Sequence, residues 1–221
     1  MTDLTYDVVY SHRKTIALSL NADGVLTVRA PFYTNRTVIE AVVLQHRKWI
    51  TAKQQQLAAA KAAYPVFCIS DGAELPYLGD RLTLCMAENT GIMWTGNVLL
   101  LGLQTSESEL TAWLKAQLRP ILKEFLDRFS QQMDVRPAGL TVTSAKTRWG
   151  SCSAANRLSF SFRLVFCPLE TIEYVVVHEL AHIRYKNHGK QFWQQVAEIL
   201  PDYGLRRDWL KQNARLMDLL A

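Results

Sequence analysis

Between residues 178 and 188 the chain places three histidines and a glutamate in a pattern suited to one metal ion. His178-Glu179-Leu180-Ala181-His182 is an H-E-x-x-H run. On a helix, residues four apart stand one turn apart on the same face, so both imidazoles can reach one ion. Glu179 is the next position round, near enough to hold a water on the metal without ligating it. His188 follows six residues after His182, in Tyr185-Lys186-Asn187-His188-Gly189. Asn187 and Gly189 suit the end of a helix and a redirected chain, which can bring His188 to the same ion. Three nitrogen ligands leave a fourth position open, as in hydrolytic rather than closed structural zinc sites. The chemistry expected is therefore one zinc per chain on His178, His182 and His188. Glu179 is then the general base for a water whose pKa the metal brings towards neutrality. The rival reading is a solvated surface set of three histidines and a glutamate. It fits poorly with Val175-Val176-Val177 before the motif and Leu180, Ala181 and Ile183 around it, which mark a largely buried helix.

The elements that must carry these residues can be traced by pattern. Pro168 marks the first turn of the motif helix, expected to run to about Tyr185. Gly189 starts another helix ending at Pro201, and a last one covers roughly Arg206–Leu220. Upstream, Ser106-x-x-Glu109 is a capping box, followed by an apolar stripe from Leu110 to Phe129 that Pro120 is expected to kink. Two strands, Leu140–Ala145 and Leu158–Phe166, flank a turn containing Trp149-Gly150-Ser151-Cys152-Ser153. In the first half, Thr15–Leu20 and Val25–Ala30 alternate around Asp23-Gly24 and read as a hairpin. A helix capped by Thr34 or Asn35 follows, with Val38, Val42, Leu44, Trp49 and Ile50 as its apolar positions, towards Ala63 and a stop at Pro65. Val66–Ile69, Arg81–Met86, Gly91–Thr95 and Asn97–Gly102 read as a small meander or partial barrel. The fold class expected is α+β. A β-rich region with a helix spans 1–105, as scaffold or substrate-positioning part, and the catalytic domain spans 106–221.

Three blocks resemble a known family. Trp149-Gly150-Ser151-Cys152-Ser153, Tyr174 through His182, and Asn187-His188-Gly189-Lys190-Gln191-Phe192-Trp193 are similar, in order, to the signature blocks of the bacterial YgjP-like metallopeptidases, relatives of the SprT-like and Wss1-like proteases. Arg13-Lys14-Thr15-Ile16, Arg29-Ala30-Pro31 and Trp49-Ile50 resemble the family's fainter N-terminal pattern. The resemblance implies a minimal zincin-like fold, with a small antiparallel sheet beside the active-site helix. It also implies that His178, His182 and His188 are ligands, that Glu179 is the base, and that the bond hydrolysed is a peptide bond. The ligand spacing equals that of the metzincins, but Tyr185 stands where their glycine sits, so the helix is expected to continue further before His188 swings in.

The Trp149 block has two readings. It could flank the cleft as a strand edge to which an extended peptide adds, with Trp149 and Gly150 at the site and Arg148 or Lys146 meeting acidic groups. Or it is a tight turn in which Gly150 serves backbone geometry and Trp149 packs in the core. Cys152 as an inhibitory fourth ligand, and Tyr203 as a donor to an oxyanion, are further candidates. Phe192, Trp193 and Met217 read as packing.

Composition bounds the rest. With 49% hydrophobic and 20% charged residues the chain is globular and not disordered. No apolar run approaches the roughly 20 residues of a membrane span. The acidic start, Met1 to Asp7, lacks a signal-peptide pattern, so a cytoplasmic location is expected. Cys68, Cys85, Cys152 and Cys167 form no C-x-x-C pair and read as free thiols. The net charge of +5 lies in the second half, and residues 135–169 hold Arg136, Lys146, Arg148, Arg157 and Arg163 with no acid. That stretch motivates one alternative function, a DNA-associated protease acting on nucleic-acid-bound proteins. Another is a zinc hydrolase of a non-peptide amide.

Overall fold

The structure, a computed structural model, describes residues 5–21, 23–63, 67–88 and 91–220. Its contacts divide the chain into two compact units, residues 1–65 and 66–221.

Alternation builds the first unit. Strands β1 (Tyr6–Ser11), β2 (Ala17–Leu20) and β3 (Leu26–Pro31) form a sheet in the order β1-β3-β2. The expected hairpin is the antiparallel pair β2–β3, and β1 joins β3 in parallel. Asn21 shapes the turn by accepting from the backbone N–H groups of Asp23 and Val25, while Gly24 takes φ +80°, where a side chain would be strained. The helix expected as one is two, α1 (Arg36–Gln45) and α2 (Arg47–Ala63). Asn35 caps α1 through Thr37 N–H, and the break falls at His46. The stop at Pro65 lies outside the described residues. Leu26, Val28 and Ala30 pack against Ile39, Val43 and Ile50. The inward face is thus Ile39, Val43 and Ile50, four and then seven residues apart, whereas Val38, Leu44 and Trp49 from the expected stripe lie off that face and are exposed.

The second unit begins with β4 (Glu74–Tyr77), β5 (Asp80–Ala87), β6 (Met93–Thr95) and β7 (Val98–Gly102), ordered β4-β5-β7-β6. It is not a simple meander, since β5 and β7 run parallel. Val66 is outside the described residues, and 67–69 form no strand. This sheet was expected to group with residues 1–65. It falls within the second unit instead, with Leu78 N–H donating to the Val165 carbonyl at 2.7 Å. Helix α3 (Glu107–Gln132) opens on the Ser106–Glu109 capping box and runs on through Pro120. Its Leu110, Leu114, Leu118 and Leu122, one turn apart, are fully buried.

Strands β8 (Gly139–Thr143), β9 (Gly150–Cys152) and β10 (Arg157–Ser161) make a sheet ordered β8-β10-β9. The small sheet was expected to be antiparallel but is mixed, because β10 pairs in parallel with β8 and antiparallel with β9. The strand expected over Leu158–Phe166 ends at Ser161, whose hydroxyl accepts from Arg163 N–H and starts a 3-10 turn over Phe162–Phe166. Every residue of that turn is buried, so its apolar run carries no alternation to distinguish it from a strand. Helices α4 (Leu169–Arg184), α5 (Lys190–Ile199) and α6 (Tyr203–Gln212) follow, then a 3-10 turn over Ala214–Asp218.

Arg163 corrects the basic-surface reading of residues 135–169. It is fully buried and donates to the carbonyls of Leu219 (3.0 Å), Ser144 (3.1 Å) and Leu220. Among the described residues no helix is long and apolar enough to cross a membrane.

Candidate metal centre

Helix α4 brings its chemistry into a buried layer. Val175, Val176, Val177, Leu180 and Ala181 are buried, and His178 and His182 emerge one turn apart on the side facing the following loop. The helix stops at Arg184, sooner than expected. Tyr185 caps it in an extended conformation, φ −122° and ψ 103°, which needs no glycine. The Tyr185 carbonyl then accepts from His182 Nδ1 at 2.9 Å. That bond fixes the tautomer and leaves His182 Nε2 as a lone-pair donor. Residues 185–189 turn back so that His188 Nε2 lies 3.1 Å from His178 Nε2.

The three histidines offer ring nitrogens all within 4.8 Å of one another. Two nitrogens on a tetrahedral zinc, each about 2.05 Å from the ion, stand about 3.3 Å apart. The 3.1 Å pair matches that spacing. Burial holds His178 far below the ordinary imidazole range, at a pKa of about 3, with His182 and His188 adding to the effect; His182 is lowered too, chiefly by burial. The neutral imidazole, the form that donates to a metal, is thereby favoured. The donor set fits a zinc ion.

Aromatic rings frame the cluster. Phe192, fully buried on α5, lies 4.6 to 4.9 Å from all three imidazoles by ring centroids. Trp193 stacks on His188 at 5.6 Å and on Tyr203 at 5.4 Å, and Tyr203 stacks in turn on Tyr174. Tyr174, one turn before His178, makes a long 3.5 Å contact with His178 Nδ1. Burial raises its phenol to a pKa of about 12, so it stays protonated.

Glu179 faces strand β9. Only 5% of it is exposed, Oε2 has no hydrogen-bond partner among the described residues, and burial raises its pKa to about 7 against the pull of Arg148. An open cleft of about 390 Å³ runs past Glu179 and His178. Trp149, Gly150, Tyr174 and Val175 line one part of it, and Arg207, Leu210, Lys211 and Ala214 the other. A larger hollow of about 490 Å³, among residues 88–109, is lined by no residue of this cluster.

The fold thus gathers His178, His182, His188, Glu179, Trp149 and Gly150. Arg148 is exposed next to this group. Tyr203 lies in the aromatic stack and not in the cleft lining. Gly150 is a strand residue paired with Phe160, not the pivot of a tight turn. Cys152 Sγ stands apart from the imidazole group, 3.9 Å from Lys186 Nζ and donating to the Ser153 carbonyl. Phe192 and Met217 are buried, as their packing role requires.

Sequence reasoning missed Tyr174, Arg207, Leu210, Lys211 and Ala214. The signal for Tyr174 was present, four residues before His178 on one helical face. Positions 207, 210, 211 and 214 also share a face, but nothing in a sequence says that the face looks onto a cleft.

Three comparisons bear on this site. A family model described as YgjP-like, metallopeptidase domain, matches residues 14–213. No curated protein matches the chain. Among solved structures, the metallopeptidase zymogen abylysin of Pyrococcus abyssi aligns with a TM-score of 0.38 at 17% identity, over 40% of this chain and 90% of that one. With its family model spanning all but the ends, this chain belongs to the YgjP-like metallopeptidases, metal-dependent hydrolases that act on peptide bonds.

Proposed function

We propose that the chain is a zinc peptidase in which His178, His182 and His188 hold the metal and Glu179 is the general base. The observation that carries this is the convergence of three imidazoles, one with its tautomer fixed by Tyr185, beside a buried carboxylate that lines an open cleft. A zinc ion held there supplies Lewis acidity, which lowers the pKa of water and polarises a carbonyl. Glu179 takes the proton from the attacking water and returns it to the leaving amine. Its burial strengthens it as a base by disfavouring the bare carboxylate. Strand β9 is the edge of its sheet, so its outer backbone groups can bind an extended peptide as an added strand. Trp149 then walls the cleft, with Arg148, Arg207 and Lys211 as cationic neighbours for acidic substrate groups.

Metal analysis should find about one zinc per chain, falling in His188→Ala. Glu179→Gln should keep zinc and lose turnover, and a comparison of protein N-termini generated by wild type and Glu179→Gln should yield cleavage sites made by wild type alone. Identical N-termini from the two would remove Glu179 as the base. Cleavage of small amides without any of peptides would instead favour the non-peptide hydrolase.

A further inference from the structure

We infer that Gly150 is the positioning residue for Glu179: the space left by its missing side chain is the seat of the general-base carboxylate. This rests on the reading of Glu179 as the base. The usual reason for a glycine, a left-handed backbone, does not apply, because Gly150 lies in β9 opposite Phe160 and its φ is outside the positive range. What does apply is room. A Cβ built at residue 150 would stand 2.7 Å from Glu179 Cγ, 2.7 Å from Oε1 and 3.0 Å from Cδ. Unstrained carbon contacts lie near 3.5–4.0 Å. The three nearest atoms all belong to this one side chain, so the clash concerns Glu179 and not the strand's own neighbours. By contrast, a Cβ at Gly139 in β8 would meet only an arginine nitrogen, at 3.4 Å.

Neither backbone can yield easily. The β9 strand is paired to β10, with Ser161 N–H donating to the Trp149 carbonyl at 2.8 Å, and Glu179 is fixed in the middle of α4 between buried neighbours. The side chain must therefore give way. Of the carboxylate oxygens, Oε2 has no hydrogen-bond partner among the described residues, and Oε1 is the one nearest residue 150. The carboxylate packs against a residue with no side chain, and even one methyl group at 150 would move it. A displacement of about 1 Å from productive geometry can cost on the order of 100-fold in rate.

The test is a double-mutant cycle on the zinc-loaded full chain, using Gly150→Ala, Glu179→Asp and the pair, with a quenched fluorescent peptide selected by wild type from a library. Gly150→Ala should keep one zinc per chain and a near-wild-type KM, and lose kcat by about 100-fold. Glu179→Asp withdraws the carboxylate by one methylene, so adding Gly150→Ala to it should cost less than about threefold, a non-additivity that a merely structural role would not show. Equal losses in both backgrounds, an unchanged kcat in Gly150→Ala, or a loss confined to KM would each overturn the proposal. A crystal structure of metal-free Gly150→Ala is the second readout. It should show the Glu179 carboxylate displaced by about 1 Å or more with the three imidazoles in place, and an unshifted carboxylate would refute the idea. If Gly150→Ala does not fold, recovery of folding in the pair supports the clash, and failure of both overturns it. Should Glu179→Gln remain active, the base assignment falls, yet the crystal structure still decides whether residue 150 places the carboxylate.

Discussion

The three imidazoles are held with different firmness. His178 and His182 project from a buried helix, and His182 is further oriented by the Tyr185 carbonyl. His188 is exposed on the following loop, and its supports are the stacked Trp193 ring and the edge of Phe192. Loss of such an outer contact commonly weakens metal affinity by about 10–100-fold. Trp193→Ala should therefore bind zinc more weakly by that order in chelator competition while retaining the one-to-one stoichiometry. An unchanged affinity would mean that His188 needs no help from its neighbour. The indole also carries the Arg207 guanidinium over its face, 5.5 Å from the ring centroid, so the same change should loosen the cationic side of the cleft and raise KM.

At the scale of elements, two joints keep the cleft in shape. One is the network in which Glu173 of α4 binds Arg128 of α3 and Arg206 of α6, with Arg206 also held by Asp202 and the Glu170 carbonyl. The other is Arg163, whose buried guanidinium ties the Ser144 carbonyl, in the segment leading to Trp149 and Gly150, to the carbonyls of Leu219 and Leu220. A hydrogen bond from a charged donor contributes about 1.5–3 kcal/mol, and a stranded buried acceptor costs more than a solvated one. Arg163→Met should lower the free energy of unfolding by about 4 kcal/mol or more, read from urea denaturation. A loss under about 1 kcal/mol would show the clamp to be dispensable. Lys186 adds a lighter tie, donating to Asn156 Oδ1 at 2.7 Å and so linking the ligand loop to the β9–β10 turn.

At the scale of the whole molecule, every residue of the imidazole cluster and its cleft lies in the second compact unit. Residues 66–221 expressed alone should therefore bind one zinc with an affinity within about tenfold of the full chain. A fragment that folds but does not bind would show that the first unit completes the site. The charge distribution gives another expectation. With Arg163 buried, Arg136, Lys146, Arg148 and Arg157 are the exposed cations of residues 135–169. If that stretch alone carries DNA, the slope of log affinity against log salt is at most about −3.6, from four contacts. A steeper slope in a titration would place the nucleic acid on other surfaces as well.

The helix carrying His178 and His182, the capping box of α3, the Asp23-Gly24 turn and the α+β class were legible because each depends on residues within a few positions of one another. The same is true of the pairing of two histidines one turn apart. What lay beyond reach depended on partners far along the chain. The unit boundary near 65 follows from sheet β4-β5-β7-β6 folding with residues 66–221, and the buried state of Arg163 from carbonyls more than fifty residues away. The 3-10 turn at 162–166 is buried on all sides, which erases the periodicity that a sequence reading uses. The candidate metal centre shows the division clearly. Residue types and spacing nominated three histidines and a glutamate. Only the tertiary structure could decide that Tyr185 orients one imidazole and that Gly150 leaves the carboxylate its room. Those contacts join segments that share no local pattern, so only the folded chain brings them together.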